Sequence, residues 1–163
     1  MNIYQQIEKR IIVECIIIDK VVNRALLAWT EAGKHPDVQS LYLDSVALNL
    51  HGFYTGIERL FELIARHIDE SIPSDKNWHR NLLKQMSESN KNYRPAVISK
   101  SIFCELDEFR RFRHVVRNVY STSLAPDRMK TIMNNLPTTW KQLNDELQAF
   151  AEFLKYQILN NDV

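Results

Sequence analysis

The chain has little of what many ligand-handling folds need. Three glycines and five prolines in 163 residues leave scant turn chemistry for a sheet and exclude a glycine-rich phosphate loop. Two cysteines, Cys15 and Cys104, cannot make a disulfide scaffold. Each lies in an apolar run, so both are expected to be reduced core thiols, with a single disulfide as the alternative. The N-terminal apolar run, Ile11 to Ile18, is interrupted by Glu14 and closed by Asp19 and Lys20, too short and polar for a membrane span or a signal peptide. The chain therefore reads as soluble and cytoplasmic, with no membrane partner. Nor is there an excess of one charge: 21 Lys+Arg stand against 20 Asp+Glu, so any electropositive site must be local. None of the five histidines follows a glutamate by three residues, and no Cys/His spacing suggests zinc. No metal and no cofactor are expected.

What is present is helical periodicity. Ile3, Ile7, Ile11, Ile18, Val21/Val22, Ala25 and Trp29 predict one long helix from Ile3 to about Ala32, ended by Gly33 and Pro36. Its run IIVECIII is apolar nearly all round, so this helix is expected to be covered on more than one side, in part by a second subunit. Leu43, Val46, Leu50, Phe53, Ile57, Leu60, Ile64 and Ile68 predict a second helix from near Ser40 to Ile68. Gly52 and Gly56 inside it each cost about 1 kcal/mol relative to alanine. They mark close packing of a neighbouring helix or, in the functional alternative, a backbone that a substrate or partner approaches. His51 and Glu58 share this region. A short helix from Asn77 to about Ser87 follows, then an irregular stretch to Ser99. The next helix runs from Lys100 to Tyr120 with Ser99 or Ser101 as its cap. A last helical region extends to about Leu159, divided by Pro137. The expected fold class is all-α: an up-and-down bundle of four to five main helices, one domain over residues 1–163.

The most informative stretch is ELDEFRRFRHVVRNVYS, Glu105 to Ser121. Leu106, Phe109, Phe112, Val116 and Val119 form a helical stripe, and Arg110, Arg113, His114 and Arg117 are placed on the neighbouring arc with Tyr120 at its edge. Arginines stacked on successive turns can grip phosphate through planar, bidentate forks. On this reading Arg113 lies beside the stripe, and Arg113→Ala leaves the fold intact.

The run from Arg113 to Tyr120, RHVVRNVY, resembles the signature of HEPN-fold ribonucleases, above all the HepT-like toxins. That motif is an Arg, a polar residue, a short spacer, a His, and a Tyr two positions further on. Arg113, His114 and Tyr120 take the Arg, polar and Tyr places, whereas the His place is held by Asn118. FYTGIERLFELIA (Phe53 to Ala65), WHRNLL (Trp78 to Leu83) and Arg94-Pro95 also look like HepT-like chains, and the resemblance covers about residues 37 to 157. It implies metal-independent RNA cleavage at a composite site across a homodimer. Arg113 would stabilise the phosphorane, and Arg110 and Arg117 would position phosphate. Asn118 can orient a substrate but cannot carry a proton, leaving His114 as the alternative acid/base group. The partners implied are an RNA substrate and a nucleotidyltransferase antitoxin that modifies Tyr120 with AMP. A weak or inactive HEPN module that binds such a partner or RNA is the rival reading, favoured by Asn118. A structural helical adaptor is the third.

Overall fold

The structure, a computed structural model, describes residues 2–118 and 124–161, with the backbone alone at 115, 117, 118 and 161. Helix α1 spans Ile3–Lys34, α2 Gln39–His67, α3 Trp78–Ser87, α4 Lys100–Asn118 and α5 Pro126–Asn161, with one 3-10 turn at Pro36–Val38 between α1 and α2. Among the described residues there is no strand, and the only bridge pairs Asn90 with Arg94. The expected all-α, HEPN-like bundle is what the chain forms.

Cross-helix contacts fix the directions. Gly52 lies against Val21 and Gly56 against Ile18, so α1 and α2 are antiparallel. The Trp140 indole Nε1–H donates to Asp19 Oδ1 at 2.9 Å, and Asp19 and Trp140 lie on helices that also pair Cys15 with Gln148, so α1 and α5 are antiparallel too. Phe53 meets Phe109 and Glu58 meets Arg113, so α4 packs across α2, while Ser99 and Ser101 meet Glu146 and Gln142, so α4 and α5 are antiparallel.

All eight periodic residues from Leu43 to Ile68, seven in α2 and Ile68 at its C-cap, are buried, and with Ile7, Ile11, Ile18 and Val22 of α1 they join one core fed by every helix. Gly56 shows why glycine is there: a Cβ would stand 3.1 Å from Glu14 Oε1 and 3.2 Å from Ile18 Cγ1. Close packing of α1, rather than approach by a ligand, accounts for this position.

Two expectations are corrected. Pro137 does not divide the last helix; α5 continues through it. Met129, Met133, Leu136, Trp140, Leu143 and Leu147 are buried on both sides of the proline. At about 1.5–3 kcal/mol per buried large side chain, this stripe outweighs the roughly 3 kcal/mol that an interior proline costs. Cys104 is exposed, while Cys15 is buried, and both are free thiols. Cys104 lies two residues from buried Ile102 and Leu106, a spacing that turns it to the opposite side of the helix.

The irregular stretch before α4 is pinned by Arg94, which is 4% exposed. Its Nε–H donates to Asp69 Oδ1 at 2.7 Å, and its Nη1 to the Glu88 and Pro95 carbonyls. Val97 and Ile98 then donate to the Met86 carbonyl. Ser99 is the cap of α4, its Oγ accepting from Ile102 N–H at 3.2 Å.

Candidate functional site

Arg113 begins the motif, and its position follows from helix arithmetic. It is seven residues after Leu106 and four after Phe109, so its Cβ lies in line with both. Leu106 and Phe109 are buried, and so is Arg113, at 7% exposure. The expectation that Arg113 lies beside the stripe is therefore corrected: it lies within it.

A guanidinium survives there because its charge is compensated. Arg113 Nη1 donates to Glu58 Oε1 at 3.0 Å and Nη2 lies 3.4 Å from Oε2. Its Cζ sits 4.5 Å above the ring centre of Tyr54, a cation–π contact in a dry setting. Burial holds the Tyr54 hydroxyl well above the usual phenol range, with the Glu58 charge adding to the effect.

Helix α3 supplies the fourth member. His79 Nδ1 lies 2.6 Å from Glu58 Oε2 and 3.1 Å from Arg113 Nη2. The imidazole stacks on Trp78 with ring centres 3.6 Å apart, and its side chain remains 31% exposed. Three helices thus meet in one polar knot: Tyr54 and Glu58 from α2, His79 from α3, Arg113 from α4.

A second cluster lies nearer the start of α4. Buried Asp107 accepts from Arg110 Nε–H at 2.8 Å and pairs with Arg111 at 2.9 Å and, more loosely, with Arg80 at 3.8 Å. Arg110 is thereby drawn back toward the preceding turn. His114 is exposed, one residue and about 100° away from Arg113. The arc expected to hold Arg110, Arg113 and His114 together is thus split three ways. The side chains of Arg117 and Asn118, and the whole of Tyr120, lie outside the described residues.

Sequence reasoning missed Tyr54, Asp107 and His79 and noted Glu58 only by neighbourhood. A signal for them existed: a charged residue in an apolar stripe requires a buried partner of opposite sign. Glu58, one residue after Ile57 in the second helix, meets that requirement. No group of three or more His, Cys, Asp or Glu side chains among the described residues is placed to hold a metal ion.

An all-α helical bundle with an arginine of the fourth helix set into its inner junction is HEPN-like in class. The chain belongs to the family described as HepT-like protein, which matches residues 45–154 and so takes in Tyr54, Glu58, His79 and the motif from Arg113 to Tyr120. Among curated proteins and solved structures nothing matches.

Proposed function

We propose that this protein is a metal-independent endoribonuclease of the toxin type, one half of a toxin–antitoxin pair that cleaves RNA as a homodimer in the cytoplasm. The observation that supports this reading is the family match running through the Arg113 motif, in a helix whose C-terminal turns carry Arg113, His114 and Arg117. Cleavage of this kind needs no metal. The 2′-oxygen attacks the adjacent phosphorus, the P–O5′ bond breaks, and side chains move a proton and bear the phosphorane charge.

The homodimer is supported by α1, which leaves Ile12, Val13, Ile16 and Ile17 exposed together on one face, a larger apolar patch than single scattered residues make. A partner antitoxin that adds AMP to Tyr120 would place phosphate beside the arginines and block RNA. Intact-mass measurement after coexpression tests that: an addition that survives Tyr120→Phe rejects the site.

A second reading is favoured by a specific observation. Glu58 already occupies Arg113, and Asn118 cannot exchange protons. Both fit a weak or inactive module that binds RNA or a nucleotidyltransferase. Incubating the purified protein and its Asn118→His form with total RNA in EDTA separates the two. No cutting by either form rejects the ribonuclease reading.

A further inference from the structure

We propose that His79, held by Glu58, is the proton-transfer group of this ribonuclease, standing in for the imidazole that the chain lacks at Asn118. The inference rests on the ribonuclease reading and deepens it.

The tautomer follows from the contacts of one ring nitrogen. Glu58 Oε2 is 2.6 Å from Nδ1 and Arg113 Nη2 is 3.1 Å from it. An Nδ1 lone pair facing a carboxylate oxygen at that distance would be repelled, so Nδ1 carries the proton and donates it to Glu58. Arg113 Nη2, which can only donate, competes for the same nitrogen at 3.1 Å, but the carboxylate contact is the shorter by 0.5 Å and decides the tautomer. With Nδ1–H engaged, the other nitrogen, Nε2, holds the lone pair. Among the described residues both polar contacts of the ring go through Nδ1.

A carboxylate that orients an imidazole, fixes its tautomer and stabilises the imidazolium is the arrangement that general acid–base catalysis uses. Here the base is also rigid and partly open. The stack on Trp78 holds the ring plane, while 31% side-chain exposure leaves it an edge to solvent. Glu58 is 8% exposed at its side chain, so the orienting group is dry while the proton carrier is not. Arg113, the first residue of the motif, is in contact with the ring. The charged groups facing it are Glu58 from α2 and Arg113 from α4. The charges of Asp107 and Arg110 act on neighbouring Tyr54.

In the step assigned to it, His79 Nε2 takes the 2′-hydroxyl proton as the 2′-oxygen bonds to phosphorus. The P–O5′ bond breaks with its electron pair going to the 5′-oxygen, and the imidazolium returns its proton to that oxygen directly or through one water. The products are a 2′,3′-cyclic phosphate and a 5′-hydroxyl, so protons and electrons balance. Glu58 acts through His79 and is a positioning residue.

His79→Asn is the informative variant. The Asn amide keeps a donor near the position of Nδ1, so the bond to Glu58 is retained, while the proton-exchanging Nε2 is removed. The measurement is the initial cleavage rate of a fluorescent mixed-sequence RNA oligonucleotide in EDTA, across pH, at matched circular-dichroism signal. The expected result is a loss of about 100-fold or more, a flattened pH–rate profile and unchanged oligonucleotide binding. If His79→Asn proves less stable, His79→Ala with added imidazole replaces it, and recovery of rate by imidazole is expected. Glu58→Gln should change the pH dependence as well as the rate. A wild type that cuts while His79→Asn cuts equally well overturns the assignment and leaves the ribonuclease reading standing. Absence of rescue in folded His79→Ala also overturns it. A wild type and Asn118→His form that both fail to cut overturn the ribonuclease reading, and the assignment with it.

Discussion

The guanidinium of Arg113 and the carboxylate of Glu58, 55 residues apart in sequence, meet at 3.0 Å with each side chain 8% exposed. A buried pair of this kind contributes little net stability, because desolvation offsets attraction, but removing one partner strands the other. The pair therefore joins α2 to α4 conditionally.

Arg113→Ala should lower unfolding free energy by roughly 3–5 kcal/mol, seen as a reduced midpoint in urea. Replacing both partners, Glu58→Leu with Arg113→Leu, should return stability to within about 1 kcal/mol of wild type while abolishing cleavage. A double variant as unstable as Arg113→Ala would show that charge compensation is not what governs this site. Loss of activity in Arg113→Ala alone consequently says nothing about catalysis unless the folded fraction is matched.

Much of this architecture was legible in the sequence. The spacing of three and four from Leu43 to Ile68 gave α2 nearly to the residue, since a single buried face leaves a periodic trace. Pro137 misleads because the local rule about proline takes no account of the buried stripe on both sides of it. Arg113 is a related case: its spacing from Leu106 and Phe109 puts it in the stripe, where its residue type argues against it. The contact from His79 to Glu58 and Arg113 joins three helices, and no one-dimensional period encodes which helix lies beside which.

The two glycines of α2 should part company. At Gly52 the nearest atom to an added Cβ is Val21 Cγ1 at 3.6 Å, an ordinary contact, so Gly52→Ala should gain about 1 kcal/mol from helix propensity. At Gly56 the Cβ would meet the stiff, β-branched Ile18 and the buried end of Glu14. Overpacking there costs about 1–3 kcal/mol, and Gly56→Ala should be destabilised on balance. Equal midpoints for the two variants would overturn this account of α1–α2 packing.

Arg94→Ala should cost roughly 3–5 kcal/mol, because it leaves the buried Asp69 carboxylate without a counter-charge, with only Gln85 still donating to it. Its effect should be local first. Limited proteolysis should open between residues 88 and 97 in the variant at conditions where wild type is resistant.

Alkaline pH should weaken the fold from inside. Burial pushes the Cys15 thiol up to about 11 from an ordinary 9.0, and it raises Tyr54 as well. Well below pH 9 both groups are protonated, folded or unfolded, and stability is unaffected by them. Between pH 9 and about 11 the unfolded chain releases the Cys15 proton while the folded chain keeps it, so stability falls as pH rises. Cys15→Ala should show a shallower decline over that window in urea titrations. Iodoacetamide should label Cys104, which is exposed, and spare Cys15 until denaturant is added.

Asn118→His tests the ribonuclease reading from the other side. On the resemblance to HepT-like toxins, Asn118 takes the place of their histidine, and an amide neither accepts nor releases protons at useful pH. If cleavage already proceeds through one imidazole, a second would supply the general acid that the first must otherwise provide alone. Each positioned proton-transfer group contributes about 10²–10⁴-fold, so the rate in EDTA should rise by at least tenfold even with imperfect placement. The gain should depend on the state of His79. With His79 intact the two groups divide the work of base and acid, and the pH–rate profile should become bell-shaped. In the His79→Asn background the new imidazole works alone, giving a smaller rate and a profile with one limb. Cleavage by Asn118→His that is indifferent to His79 would separate the two sites and return the proton transfer to the motif helix.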